Sequence, residues 1–276
     1  MRERINIEDI TLLLTGCIDA VKEQSFHVLR DQEVRYDQYL KSIEWAIKDT
    51  KLIKIVFCEN SDFFCRNSDK MEDIQKLKSV ALQCGKDLEV LSFQGDAQRV
   101  LETNKGYGEG EIIEYALQKS QLLQNSQYFC KLTGRLIVRN IDATLAHIVG
   151  GINYFNRDRS HENNWVDTRF FCCEKNFYEM HLIHLYQKLT KYMIIEKLFY
   201  NELKSRRDWR STYQYPDYEG KSGATGREYR DDNSFRMFFF NGLCKLNLYN
   251  GVYIPLHYKF IAFKVKAYAA LKPYRF

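Results

Sequence analysis

The first strongly apolar run, Ile10–Gly16 (ITLLLTG), reads as a buried strand that leads into a turn. Asp31 then precedes a stretch with Leu40, Ile43 and Ile47 on one helical face, so it is the natural cap of a helix. Lys51–Cys58 (KLIKIVFC) predicts a second strand, tipped by Glu59, Asn60, Ser61 and Asp62. The pattern repeats with a helix over Met71–Gln83, a stop at Gly85 and a strand over Leu88–Phe93. Strands alternating with helices of this length argue for a parallel α/β sheet.

Residues 105–142 supply the fourth unit. A Gly-rich turn is expected at Gly106, Gly108 and Gly110, then a helix with Ile112, Ile113, Ala116 and Leu117 apolar. A polar break at Gln124–Gln127 leads to β-rich runs at Tyr128–Lys131 and Arg135–Arg139, joined by Leu132, Thr133 and Gly134. The second run ends in Asn140-Ile141-Asp142, which predicts a carboxylate at a strand tip. Later come a polar loop at Asn156–Asn164 and a strand at Trp165–Cys172. Phe177–Asn201 is a long apolar stretch with helical spacing. Ser205–Asp232 reads as irregular, and aromatic residues alternate with Lys and Arg to the end. No internal repeat or low-complexity tract is present.

The chain has 276 residues, 45% hydrophobic and 28% charged, enough for a substantial core. The expected organisation is one continuous domain with two halves, 1–150 and 151–276. A net charge of +5 suits phosphate-bearing substrates or an anionic membrane surface. Nucleic-acid binders concentrate more charge on one face, so nucleic acid is not an expected partner. Eight cysteines without a CxxC pair read as free thiols in a reducing cytosol. No stretch has the apolar length of a membrane-spanning helix. The expectation is a cytoplasmic protein, with the basic aromatic segment Tyr253–Phe276 reading equally as a contact to the inner membrane face or as an ordinary packed terminus.

Strand tips of open α/β sheets are where ligands bind, which ranks the candidates. At the first tip stand Thr15 and Gly16, with Arg35 able to pair with a diphosphate. At the second are Glu59, Asn60 and Ser61, suited to a base or ribose but also ordinary turn residues. The glycines at 106 and 108, with Lys105 and Glu109, suggest a phosphate-approaching loop, although no Walker or Rossmann fingerprint is present. Lys131, Thr133, Gly134 and Arg135 place two cations about a Thr-Gly turn. Asp142, beside Asn140, has two readings of equal standing: a ligand for a divalent metal or sugar hydroxyl, and a helix cap. Asp167 and Glu196 lie in apolar surroundings, where a carboxylate is either paired or working as a base.

Together, KGYGEGEIIEYAL, FCKLTGRLIVRNID and VDTRFF resemble small bacterial GT-A-like glycosyltransferases of capsule and lipopolysaccharide synthesis. The resemblance covers roughly residues 8–200. It implies a mostly parallel sheet flanked by helices, with a helical, aromatic C-terminal part. It also implies hexosyl transfer from a nucleoside-diphosphate sugar, UDP-linked in the main, to a glycan or lipid-linked glycan. Lys105, Gly106, Gly108, Glu109, Lys131, Thr133, Gly134 and Arg135 would bind the donor, and Asp167 and Glu196 would face the acceptor. The metal motif Asp-x-Asp is missing, which leaves Asp142 as the candidate for manganese or magnesium. The alternative is a non-catalytic nucleotide- or membrane-binding protein on the same core.

Overall fold

The computed structural model describes residues 3–20, 31–157, 165–222, 226, 228–229 and 241–242. Nine strands are present among them: β1 Ile10–Gly16, β2 Lys54–Glu59, β3 Asp87–Ser92, β4 Tyr128–Thr133, β5 Ile137–Val138, β6 Asn153–Arg157, β7 Val166–Glu174, β8 Trp209–Arg210 and β9 Tyr218–Glu219. The helices are α1 Gln32–Asp49, α2 Phe63–Arg66, α3 Met71–Gln83, α4 Ala97–Glu102, α5 Lys105–Lys119, α6 Gln121–Gln124, α7 Ile141–Leu145, α8 Lys175–His181 and α9 Ile195–Leu203.

Seven strands form one sheet in the order β3-β2-β1-β4-β7-β6-β8. β3, β2, β1 and β4 run parallel, and β7 runs against both of its neighbours. The architecture is α/β, a mostly parallel sheet flanked by helices. Its central strands are buried on both faces, which is why they read as unbroken apolar runs. Along β1, Leu12 and Leu14 join the core under α1 and α3, while Leu13 joins the core under α5, α8 and α9. The Asp31 cap holds: its carboxylate accepts from the Val34 amide at 3.2 Å. Gly85 ends α3 with φ +69°, a backbone region that favours glycine.

Two expectations fail here. Residues 105–110 are not a turn but the first turns of α5, capped by Asn104, whose side chain accepts from the Gly106 amide at 2.9 Å. The glycines are there for close packing. A Cβ on Gly106 would lie 3.1 Å from Ile195, and one on Gly110 would fall inside the Tyr186 side chain. Phe177–Asn201 is not a continuous helix either. It breaks into α8, a short 3-10 turn at Leu185–Lys188, and α9. The Asn104 amide holds the break by donating to the carbonyls of Thr190 (2.8 Å) and Met193 (2.9 Å).

Among the described residues no helix is long and apolar enough to cross a membrane. Seven described cysteines are free thiols, of which Cys65 and Cys84 are exposed. The Tyr253–Phe276 segment, Cys244 and most of the Asn156–Asn164 loop lie outside the described residues.

Candidate functional site

After β1 the chain moves outward to β2 and β3, then returns to place β4 on the other side of β1. The connections diverge at that point, and a crevice opens at the carboxyl ends of β1 and β4. A cavity of about 560 Å³ lies there. Its floor depends on two glycines. The Gly134 amide donates to Thr15 O at 2.8 Å, and a Cβ on Gly134 would sit 2.8 Å from that oxygen. A Cβ on Gly16 would stand 2.7 Å from the Phe57 ring. Gly134 therefore holds two strand tips together and does not itself line the cavity.

Thr15, Gly16, Arg35, Asn60 and Ser61 line the first wall. Arg35 reaches from α1, and its Nε donates to the carbonyls of Cys17 (3.0 Å) and Ile18 (3.2 Å), clamping the loop after β1. Ser61 Oγ accepts from Asp19 N at 3.0 Å and donates to Glu59 Oε2 at 2.5 Å. Arg66 meets the Asp19 carboxylate at 3.2 Å. Glu59 lies below this surface rather than on it. It is fully buried and accepts from the amides of Ser61 (2.7 Å) and Phe63 (2.8 Å) and from the hydroxyls of Ser61 and Ser92. Burial pushes its carboxyl up, and these donors pull it back. Its role is to knot the loop that presents Asn60 and Ser61. Asn60 Oδ1 is buried with no partner.

Helix α5 supplies the second wall. Lys105, Gly108, Glu109 and Ile112 follow helical spacing and face the cavity together. Gly106 lies off it, against Ile195. Opposite, β4 turns Lys131 and Thr133 to the same side. Lys131 is wholly buried beneath the cavity, where its ammonium donates to Glu109, to Thr168 O at 2.7 Å and to Thr133 Oγ1 at 3.2 Å. Burial pushes Lys131 down to about 7, against the pull of Asp167 and Glu196. The expected direct contact of Lys131 with a phosphate is thereby corrected: it holds Glu109 in place. Arg135 lines the cavity, lies 3.4 Å from Gln38 Oε1, and leaves a buried Nε–H without a partner.

The third wall is β7 and α9. Thr168 Oγ1 donates to Glu196 Oε1 at 3.4 Å, and Glu196 faces the cavity from the first turn of α9. Glu196 has no ion-pair partner among the described residues. Asp167 differs. Its buried carboxylate receives Arg169 Nε (2.8 Å), Nη2 (2.7 Å) and N (3.0 Å), and the hydroxyls of Tyr215 (3.2 Å) and Tyr218 (3.1 Å). Burial works against its charge. The Arg169 cation and these hydrogen bonds outweigh burial and hold the carboxyl below its ordinary range. With its lone pairs committed, Asp167 is a support for Arg169 and not a base.

Asn140 and Asp142 lie away from the cavity. After Gly134 the chain turns back through β5, which pairs with β9 in a separate two-stranded sheet. Asn140 holds Tyr215 O (3.0 Å) and Asp217 N (2.8 Å), and Asp142 accepts from Lys51 N at 3.0 Å, near the amino end of β2. A metal at Asp142 would therefore be at the wrong edge of the sheet. Among the described residues no group of three His, Cys, Asp or Glu side chains assembles a metal-ligand set. Sequence reasoning passed over Arg66, Lys221 and Tyr229, which also line the cavity and carry no local signal.

No protein-family model and no curated protein matches this chain. Among solved structures it is similar to a cytidylyltransferase from Leptospira borgpetersenii serovar Hardjo-bovis (strain JB197). The identity is 13% and the TM-score 0.42, over 97% of this chain and 99% of that one. So distant a likeness carries no weight for chemistry, which rests on the residues above.

Proposed function

We propose that the cavity takes the nucleoside diphosphate of an activated sugar, and that the protein transfers the sugar to a hydroxyl acceptor. The observation that carries this reading is a difference in commitment. Among the described residues Lys105 and Arg135 line the cavity with no carboxylate ion-pair partner, while Glu196 faces it with no ion-paired cation. Two unneutralised cations suit a diphosphate, and fixed cations stabilise the charge that grows on a leaving group. The β1 and β2 tips, with Arg35, Asn60 and Ser61, would hold the nucleoside. In this reading residues 1–150 hold the donor, and residues 151–276 supply the acceptor side.

The acceptor oxygen attacks the anomeric carbon as the bond from that carbon to the diphosphate oxygen breaks. Glu196 takes the acceptor proton, and the nucleoside diphosphate leaves with the electron pair. A single displacement of this kind inverts the anomeric centre.

Incubation with a panel of nucleotide sugars and nucleoside triphosphates tests the reading. Release of nucleoside diphosphate is expected, slowed about 100-fold or more in Glu196→Gln, in line with loss of a general base. Release of pyrophosphate from a triphosphate would instead mark nucleotidyl transfer. No turnover, with no thermal stabilisation by any nucleoside diphosphate, would remove both.

A further inference from the structure

We infer that the second substrate is anionic, and that Arg169 reads its carboxylate or phosphate group. The inference deepens the reading above and depends on its division of the cavity into donor and acceptor sides.

Arg169 lines the same cavity as Glu196; it follows Thr168 on β7, so the alternation of the strand turns its guanidinium away from the Thr168–Glu196 contact and toward Tyr218 and Tyr229. Nε and Nη2 are taken by Asp167, while Nη1 makes no hydrogen bond among the described residues. About a quarter (26%) of the side chain is open, against 2% for Asp167. Two aromatic rings lie against the guanidinium, Tyr218 at 4.3 Å and Tyr229 at 4.8 Å. Tyr215 and Tyr218 in turn fix Asp167 from behind. Asp167 and the two rings already hold the group, so little ordering is left to do when a ligand arrives. A buried ion pair is a poor source of stability compared with apolar residues of the same volume. Here it aims one donor edge into a cavity.

The charge balance favours an anion at that edge. Six cationic side chains line the cavity (Arg35, Arg66, Lys105, Arg135, Arg169, Lys221), against the carboxylates of Asp19, Glu109 and Glu196. Behind them lie Lys131, Asp167 and Glu59, and Lys221 pairs with Glu228 at 3.7 Å. Lys221, three residues beyond Tyr218, places a second cation on the same rim.

The experiment is calorimetric titration of the full chain, saturated with UDP, by glucuronate, glucose 6-phosphate and glucose. Wild type is expected to prefer at least one charged probe over glucose by about 10-fold, the worth of a charge-assisted hydrogen bond. Which probe wins separates a carboxylate from a phosphate ligand. In Arg169→Lys the preference should fall below about 2-fold. Tyr229→Leu and Lys221→Ala leave Asp167 paired and should each reduce it, so the test survives a misfolded Arg169 variant. Equal binding of glucose in wild type, or an unchanged preference in the folded variants, overturns the inference. If UDP binds and no preference appears, the inference fails alone. If UDP does not bind but an Arg169-dependent preference does appear, the donor reading fails and the anion site stands.

Discussion

Two ion pairs sit under the same cavity and are built in opposite senses. In the Lys131–Glu109 pair the cation is sealed (0% exposed) and the carboxylate is partly open (24%). In the Asp167–Arg169 pair the carboxylate is sealed (2%) and the cation partly open (26%). The buried member of each pair decides which charge the cavity meets. The first presents a carboxylate on the α5 wall, and the second presents a guanidinium on the β7 wall. The pairs differ in proton affinity too, because burial pushes Lys131 toward neutrality while Arg169 and the tyrosines keep Asp167 charged. Sequence alone places Lys131, Asp167 and Arg169 in apolar runs and Glu109 in a Gly-rich turn, and does not say which member of a pair is hidden.

The largest effect that can break this comparison comes from Asp167→Ala. It strands a mostly buried guanidinium against two tyrosine rings, and the expected loss is about 3–5 kcal/mol of folding stability by chemical denaturation. Lys131→Met should cost less, about 1–3 kcal/mol, because the Glu109 carboxylate it abandons still reaches water. Equal losses would mean that exposure of the surviving partner does not matter.

The pH dependence sharpens the contrast further. Lys131 loses its folded-state proton near 7 rather than near 10.5, so between those values the unfolded chain binds more protons than the folded one. Stability should rise with pH across that window, and the rise should flatten in Lys131→Met. The Asp167 carboxyl is held low in the folded state. Its contribution is present at neutral pH and is lost as pH falls below the ordinary carboxylate range. Asp167→Asn should remove that acid-side slope and leave the other in place. Parallel denaturant melts at a series of pH values check both.

Local signals made much of the fold legible. The strand β1, the Asp31 cap and both ends of α3 follow from apolar runs, a capping side chain and a stop glycine, which lie within a few residues of what they control. Gly106–Gly110 misled because three glycines in a short run read as a turn. Their actual constraint comes from Tyr186 and Ile195, more than seventy residues later. Asp142 misled because the reversal after Gly134 depends on pairing with Tyr218–Glu219, which no local pattern announces. Lys105, Arg135 and Glu196 do meet at one cavity, whereas Asp167, Glu59 and Lys131 serve beneath it.

The central claim is that Lys105 and Arg135 receive a diphosphate at the β1–β4 crevice. Titration calorimetry with UDP and with the other nucleoside diphosphates tests it most directly. At least one should bind wild type and Asp142→Ala equally well, and about 10-fold or more weaker to the double variant Lys105→Ala/Arg135→Ala. Unchanged affinity in the double variant, or no binding of any nucleoside diphosphate to wild type, would contradict the account.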